Sequence, residues 1–167
     1  SLYWRMGRRK LRAEEIRDSV LAVSGALVLK MGGPSFQDFK FKDDHTPKFY
    51  YDQHDPNDPA SHRRTIYRFI ARSQTHPFLT TLDCADPSQM VAKRDETTTA
   101  LQALSLMNNP FMLAMSEKLA TRVERADQPV SAAFRLALGR HPDPDEHQTL
   151  SAYAKKHGLP ATCRLIF

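Results

Sequence analysis

The fold is decided by the stretch Asn109-Pro110-Phe111-Met112-Leu113-Ala114-Met115-Ser116-Glu117-Lys118-Leu119-Ala120-Thr121-Arg122-Val123-Glu124-Arg125. Asparagine followed by proline is a helix start: the amide side chain caps a free backbone N–H, and proline at the first helical position gives up a donor that has no partner anyway. Met112, Met115, Leu119 and Val123 then recur at three- and four-residue spacing, which predicts one buried stripe on a helix over 110–125. The same punctuation continues towards the C-terminus. Pro129 opens a short helix that Gly139 closes. Asp143-Pro144-Asp145-Glu146 supplies a cap, a first-turn proline and acids suited to the positive end of the next helix, which His157-Gly158 ends. Residues 161–167 read as a further helix.

Working back towards the N-terminus, Thr97-Thr98-Thr99 precede a helix over 100–107, with Leu101, Leu104 and Met107 expected inward. A long first helix is expected over 8–31, with Leu11, Ile16, Val20, Val23 and Leu27 as its stripe and Gly32-Gly33-Pro34 as its stop. Residues 34–62 carry four prolines, many acids and few aliphatics. They read as an irregular insertion in which Phe39, Phe41 and Phe49-Tyr50-Tyr51 fit a small hairpin. Over 63–72 a helix separates the arginines from the apolar residues, whereas a strand mixes them on one face, so a helix is expected with Ser61 as its cap and His76-Pro77 past its end. Residues 73–96 read as irregular, with turn chemistry at 83–87.

The net charge is +5, but Arg5, Arg8, Arg9, Lys10 and Arg12 account for it, and the other 155 residues are balanced at 19 bases and 19 acids. Clustered cations that displace counterions are therefore confined to one end, which argues against nucleic-acid binding. Cys84 and Cys163 form no C-x-x-C and no C-x-x-C-H, so zinc-ribbon, thioredoxin-type and c-type haem sites are absent from the chain, and both read as small buried apolar residues. The apolar run 20–29 is about half a membrane span. Glu14, Glu15 and Asp18 break any signal-peptide pattern before it.

Several constellations remain. Arg64, Arg68 and Arg72, with Arg94, could clamp an anion through guanidinium forks, with Tyr50 and Tyr51 as sugar platforms. Alternatively these arginines pair with Asp83, Asp86, Asp95 or Glu96, as buried arginine normally requires. Asp52, His54, Asp55, Asp58 and His62 offer metal-type ligands, but the spacing fits no EF-hand and reads as solvated loop, so no metal is expected. Thr97–Thr99 could receive an anion near Arg94, but capping alone accounts for them. Asp43-Asp44 are paired acids of unknown spatial relation. No P-loop, G-x-G-x-x-G, G-x-S-x-G or H-E-x-x-H occurs. Nothing marks a nucleophile with its base, so catalytic residues are unassigned and the chain is not decided as an enzyme.

The ordered set Arg8-Arg9-Lys10-Leu11-Arg12-Ala13-Glu14-Glu15-Ile16-Arg17-Asp18, Gly32-Gly33-Pro34-Ser35, His62-Arg63-Arg64-Thr65-Ile66-Tyr67-Arg68-Phe69, Leu82-Asp83-Cys84-Ala85-Asp86-Pro87-Ser88, Arg94-Asp95-Glu96-Thr97-Thr98-Thr99, Asn108-Asn109-Pro110-Phe111 and Leu136-Ala137-Leu138-Gly139-Arg140 resembles the C-terminal part of the Planctomycete-type PSD1 (DUF1553) domain. The resemblance covers nearly the whole chain. It implies a large, exported bacterial parent, extracytoplasmic or periplasmic, often with a DUF1549 domain and a cytochrome-c-like domain upstream. It implies no activity and no catalytic residues.

The expected fold is mainly α: an irregular bundle of six or seven helices in one domain over 1–167, the C-terminal fragment of a multidomain protein, with a loop insertion at 34–62 that has room for a small β-hairpin. The expected function is that of a non-catalytic helical module that packs against an upstream domain of the same protein. No cofactor is expected in this chain, and any haem would belong to the parent. The alternative is binding or processing of acidic polysaccharide, an anionic glycan, through Arg64, Arg68, Arg72, Arg94, Tyr50 and Tyr51. No membrane span is expected.

Overall fold

The computed structural model describes Gly7 and residues 9–43 and 45–167. Arg5 and Arg8 of the basic end, and Asp44 of the paired acids, lie outside the described residues. Seven α-helices occur among the described residues: α1 (Ala13–Ser24), α2 (Pro77–Thr81), α3 (Ala100–Asn108), α4 (Pro110–Val123), α5 (Pro129–Leu138), α6 (Pro144–His157) and α7 (Leu159–Ile166). A two-stranded antiparallel hairpin, β1 (Lys40–Lys42) and β2 (Lys48–Tyr50), lies in the irregular insertion with Phe41 opposite Phe49. The protein is thus mainly α with a small hairpin, as its sequence pattern implies.

Helix α4 is the spine. Asn109 caps it by accepting from the Phe111 N–H at 2.9 Å, and Pro110 is its first residue. Its N-terminal half buries Met112, Ala114 and Met115 against Val20 and Leu21 of α1 and against Phe78, Leu79 and Leu82. Its C-terminal half buries Leu119, Ala120 and Val123 against Ala133 and Phe134 of α5 and Cys163 and Ile166 of α7. Full burial of a side chain such as Leu119 contributes about 1.5–3 kcal/mol. Both cysteines are free, and Cys163 is wholly buried in the second cluster. On α6, Asp143 and Glu146 form a reciprocal capping box.

The chain before α4 differs from expectation in four places. Helix α1 ends at Gly25, not at Gly32-Gly33: Gly25 takes φ +79° and its N–H turns back to the Leu21 and Ala22 carbonyls. Its buried face is Ala13, Arg17, Val20, Leu21 and Ser24, while Leu11 is exposed. Residues 63–72 are extended apart from one 3-10 turn, Thr65–Tyr67. They pair in parallel with the segment after α1, through Val28 N–H to His62 O at 2.9 Å, Phe36 N–H to Tyr67 O at 3.0 Å and Phe69 N–H to Phe36 O at 2.8 Å. Burial there alternates, with Arg63 and Thr65 inside and Arg64 and Ile66 outside, so a period of two prevails over the helical one. Ser61 consequently caps no helix.

The third difference is His76-Pro77, which begins a helix instead of following one: His76 Nδ1 accepts from the Leu79 N–H, and Pro77 is the first residue of α2. The fourth is α3. It docks through buried Gln102 and half-buried Leu106, while Leu101 and Leu104 are 65% and 56% exposed. Lys10 Nζ donates to Gln102 Oε1 at 3.1 Å, and Gln102 Nε2 donates to Thr97 Oγ1 at 3.0 Å, so polar bonds set the helix's rotation. No helix among the described residues is long and apolar enough to cross a membrane.

Candidate functional site

Arg17 occupies a position on the buried face of α1, where an aliphatic residue would normally stand. Its guanidinium donates from Nη1 to Arg63 O (3.1 Å) and Thr65 Oγ1 (3.2 Å), and from Nη2 to Ser61 O (2.6 Å). It lies 5.2 Å from the Phe36 ring centroid and 5.5 Å from that of Phe111. Burial pulls its pKa below the ordinary arginine value. A buried charge needs compensation, and the oxygens it bonds are all neutral. Asp18 Oδ1 lies 3.8 Å from Nη1 and is shared with the Thr65 N–H and hydroxyl, and the charge of Asp38 also favours the guanidinium.

Beside Arg17 sits a second buried charge group. Arg68 Nε donates to Asp38 Oδ2 at 2.7 Å, with the two side chains 7% and 6% exposed. His76 Nε2 approaches the same oxygen at 3.4 Å. Because Nδ1 of His76 accepts a backbone N–H, the proton of the neutral ring is on Nε2, pointing at Asp38. Burial drives the His76 pKa down to about 4, so the ring is neutral at physiological pH. Asp38 Oδ1, Arg68 Nη2 and His54 Nε2 are buried and have no hydrogen-bond partner.

Arg17, Asp38, His54 and His76 line one hollow of about 290 Å³, together with Tyr51, Asp52, Phe78 and Phe111. That volume is at the lower end of small-molecule sites. His76 and Asn109, the caps of α2 and α4, are on its wall, so the positive end of the long α4 helix opens onto it.

The structure distributes the residues singled out in the sequence. Arg68 and Tyr51 come together, with the guanidinium 5.7 Å from the ring centroid, and Tyr51 Oη donates to Gln74 O at 2.9 Å. Burial pushes the Tyr51 phenol up. Tyr50 is half-buried in β2. Arg64 is 57% exposed and 3.7 Å from Asp18. Arg72 is exposed. Arg94 Nη1 contacts both oxygens of Glu14, at 2.8 and 2.9 Å. Arg68 and Arg94 share a second hollow of about 220 Å³ with Glu14 and Cys84. Burial opposes ionisation of Glu14, but the bond and charge of Arg94 together with a backbone N–H and the Cys84 thiol outweigh it and hold the carboxyl below its ordinary value. The acids that meet these arginines are therefore Asp18, Asp38 and Glu14 rather than those at 83–96. Asp83 instead accepts from Lys10 Nζ at 2.8 Å and from the Thr97 N–H and hydroxyl. Arg9 pairs with Glu15 at 2.8 Å.

In the acidic loop, Asp55 and Asp58 accept backbone N–H groups of Asn57 and Ala60, and His62 Nε2 contacts Pro56 O at 2.9 Å. Among the described residues no three His, Cys, Asp or Glu side chains converge to hold a metal. Sequence reasoning did not single out Arg17, Asp38 or His76. A signal for Arg17 exists: it stands at the four-, seven- and eight-residue spacing of Ala13, Val20 and Leu21, a charge on the core stripe.

A family model, PSD1, described as a protein of unknown function (DUF1553), matches residues 1–154. No curated protein and no solved structure matches the chain.

Proposed function

The chain belongs to the PSD1 (DUF1553) family, and from that premise we propose that it is a non-catalytic binding module of a larger exported bacterial protein, with the hollow over Arg17, Asp38 and His76 as its ligand site. One observation carries this reading: buried polar atoms with unfinished hydrogen bonding, Asp38 Oδ1 and His54 Nε2, belong to residues that line a single hollow of small-molecule size. Three groups of the kind used in catalysis are poorly placed for it. Both ring nitrogens of His76 are engaged, and burial raises the thiol pKa of Cys84 and carries that of Cys163 to about 11, away from nucleophilic thiolate. The test is an NMR titration of the labelled chain with acetate, sulfate, glucose and glycine. Shifts centred on Phe78, Phe111 and His76 with any of them support the reading. Silence of those resonances with all four overturns it.

A second reading rests on α3. Leu101, Leu104 and Met107 present an apolar face to solvent at three-residue spacing. The partner would be an upstream domain of the same extracytoplasmic protein, of the DUF1549 or cytochrome-c-like kind, with any haem belonging to that partner. Replacing Leu101 and Leu104 by serine in the parent protein should separate the two units in limited proteolysis without lowering this domain's own stability. An unchanged digestion pattern would dismiss the reading. The acidic-glycan alternative has Arg64 and Arg72 as its exposed cations. Glutamine at both should then abolish retention on an acidic-polysaccharide column.

A further inference from the structure

We propose that the hollow takes a hydroxylated carboxylate, a sugar acid of the uronate kind, with its carboxylate on Arg17 and a hydroxyl donated to Asp38. This rests on the reading of the hollow as a ligand site and specifies what enters it. Three arginines in this part of the molecule share two carboxylates: Arg64 and Arg17 stand 3.7 and 3.8 Å from Asp18, and Arg68 faces Asp38. Arg17 has no carboxylate to itself. It is the most buried of the three arginines, and three of its five N–H groups are spent on carbonyl and hydroxyl oxygens that carry no charge. With three guanidiniums on two carboxylates, an anion at Arg17 balances the third, and the N-terminus of α4 on the same wall adds to its stabilisation.

Asp38 defines the other half of the ligand. Its Oδ2 is occupied by Arg68 and His76, whereas Oδ1 accepts nothing, although the side chain is 94% buried. A group that donates to Oδ1 completes it. An ammonium would donate too, but Asp38 is already neutralised by Arg68, and a second cation would meet the fields of Arg17 and Arg68. A neutral hydroxyl gains the hydrogen bond without that repulsion. Phe78, Phe111 and Tyr51 supply apolar wall for the C–H faces of a ring. Carboxylate, hydroxyl and ring on one small frame describe a sugar acid.

The experiment compares four probes on the labelled full chain: D-glucuronate, D-glucose, D-glucosamine and propionate. Glucuronate should move the Phe78, Phe111 and His76 resonances and bind about tenfold or more tighter than each of the others, since each of the three lacks one charged or hydroxyl contact. Glucose or glucosamine binding as tightly as glucuronate overturns the assignment of the carboxylate to Arg17. Propionate binding as tightly overturns the hydroxyl at Asp38. In both cases shifts at the hollow would leave it standing as a ligand site. Glucuronate shifts that map elsewhere on the chain overturn the inference. So does silence with glucuronate, whereas the site reading falls only if the simpler acetate, sulfate, glucose and glycine series is silent as well.

Discussion

Replacing His76 by asparagine isolates the pH dependence built into the buried charge group. In the folded protein, burial lowers the pKa of His76 from 6.5 to about 4. A folded value below the unfolded one means that the unfolded chain holds the proton more tightly. His76 therefore contributes stability that is present above pH 6.5 and is lost as pH falls towards 4. At 1.36 kcal/mol per pH unit the whole effect is about 3 kcal/mol, of which roughly 2 kcal/mol is lost between pH 7 and 4.5. Asparagine also caps helices well, so His76→Asn keeps an acceptor for the Leu79 N–H while removing the titrating ring. Urea unfolding of both proteins at half-unit steps from pH 7 to pH 4.5 gives the comparison. The native chain should lose roughly 2 kcal/mol more than the variant across that range, because the carboxylates that protonate near its lower end are common to both. Parallel curves would mean that the ring titrates in the folded protein as it does in the unfolded chain, and the account of the Asp38–His76 contact would fail with it.

Three further outcomes follow from the packing. Arg17→Met, which fits between Phe36 and Phe111 but leaves Ser61 O, Arg63 O and the Thr65 hydroxyl without their donor, should cost about 3–5 kcal/mol, from about 1–3 kcal/mol for each bare acceptor. In calorimetry that is roughly 6–20 °C of Tm; a change under about 1 kcal/mol would show that those oxygens find other donors. Leu119→Ala, at a wholly buried site of the spine, should cost about 2–5 kcal/mol in urea unfolding. Gly25→Ala should cost about 1–2 kcal/mol, since the residue holds φ +79° and an added Cβ would stand 3.3 Å from Arg122 Cδ, while alanine at the unobstructed Gly7 should be neutral by the same measurement.

Helices α4, α5 and α6 are readable in the chain because each signal is local. Asn109-Pro110, Gly139 and Asp143-Pro144-Asp145-Glu146 act within one turn of the residues they punctuate. The hairpin is readable for a similar reason, in alternating Phe39 and Phe41. The rotation of α3 is not. Leu101, Leu104 and Met107 satisfy a helical period, but Lys10 and Thr97 select Gln102 for the interior, and Lys10 is 92 residues away from it in the chain. The stretch 63–72 misleads because its backbone partner, 28–36, is remote, and only that pairing makes a period of two preferable. Asp38 and Arg68 stand thirty residues apart in irregular backbone, so no spacing rule joins them. Arg17 was open to recognition as a charge on a buried stripe, had α1 been phased on Ala13, Val20 and Leu21 instead of Leu11 and Ile16.

The walls of the hollow are drawn from Arg17 in α1 through to Phe111 in α4, and its charged floor is tied down by bonds that span 44 to 48 residues. Leu119 of α4 and Cys163 of α7 share a cluster across 44 residues, whereas Arg17 meets the Phe111 ring across 94. Loop closure makes the short stretches quick and the long ones slow. The C-terminal helices thus form a platform early, and the wall that joins Arg17 to Phe111 closes last. Ligand-binding competence in this domain should appear only with the final kinetic phase of folding, after most of its helical signal is already complete.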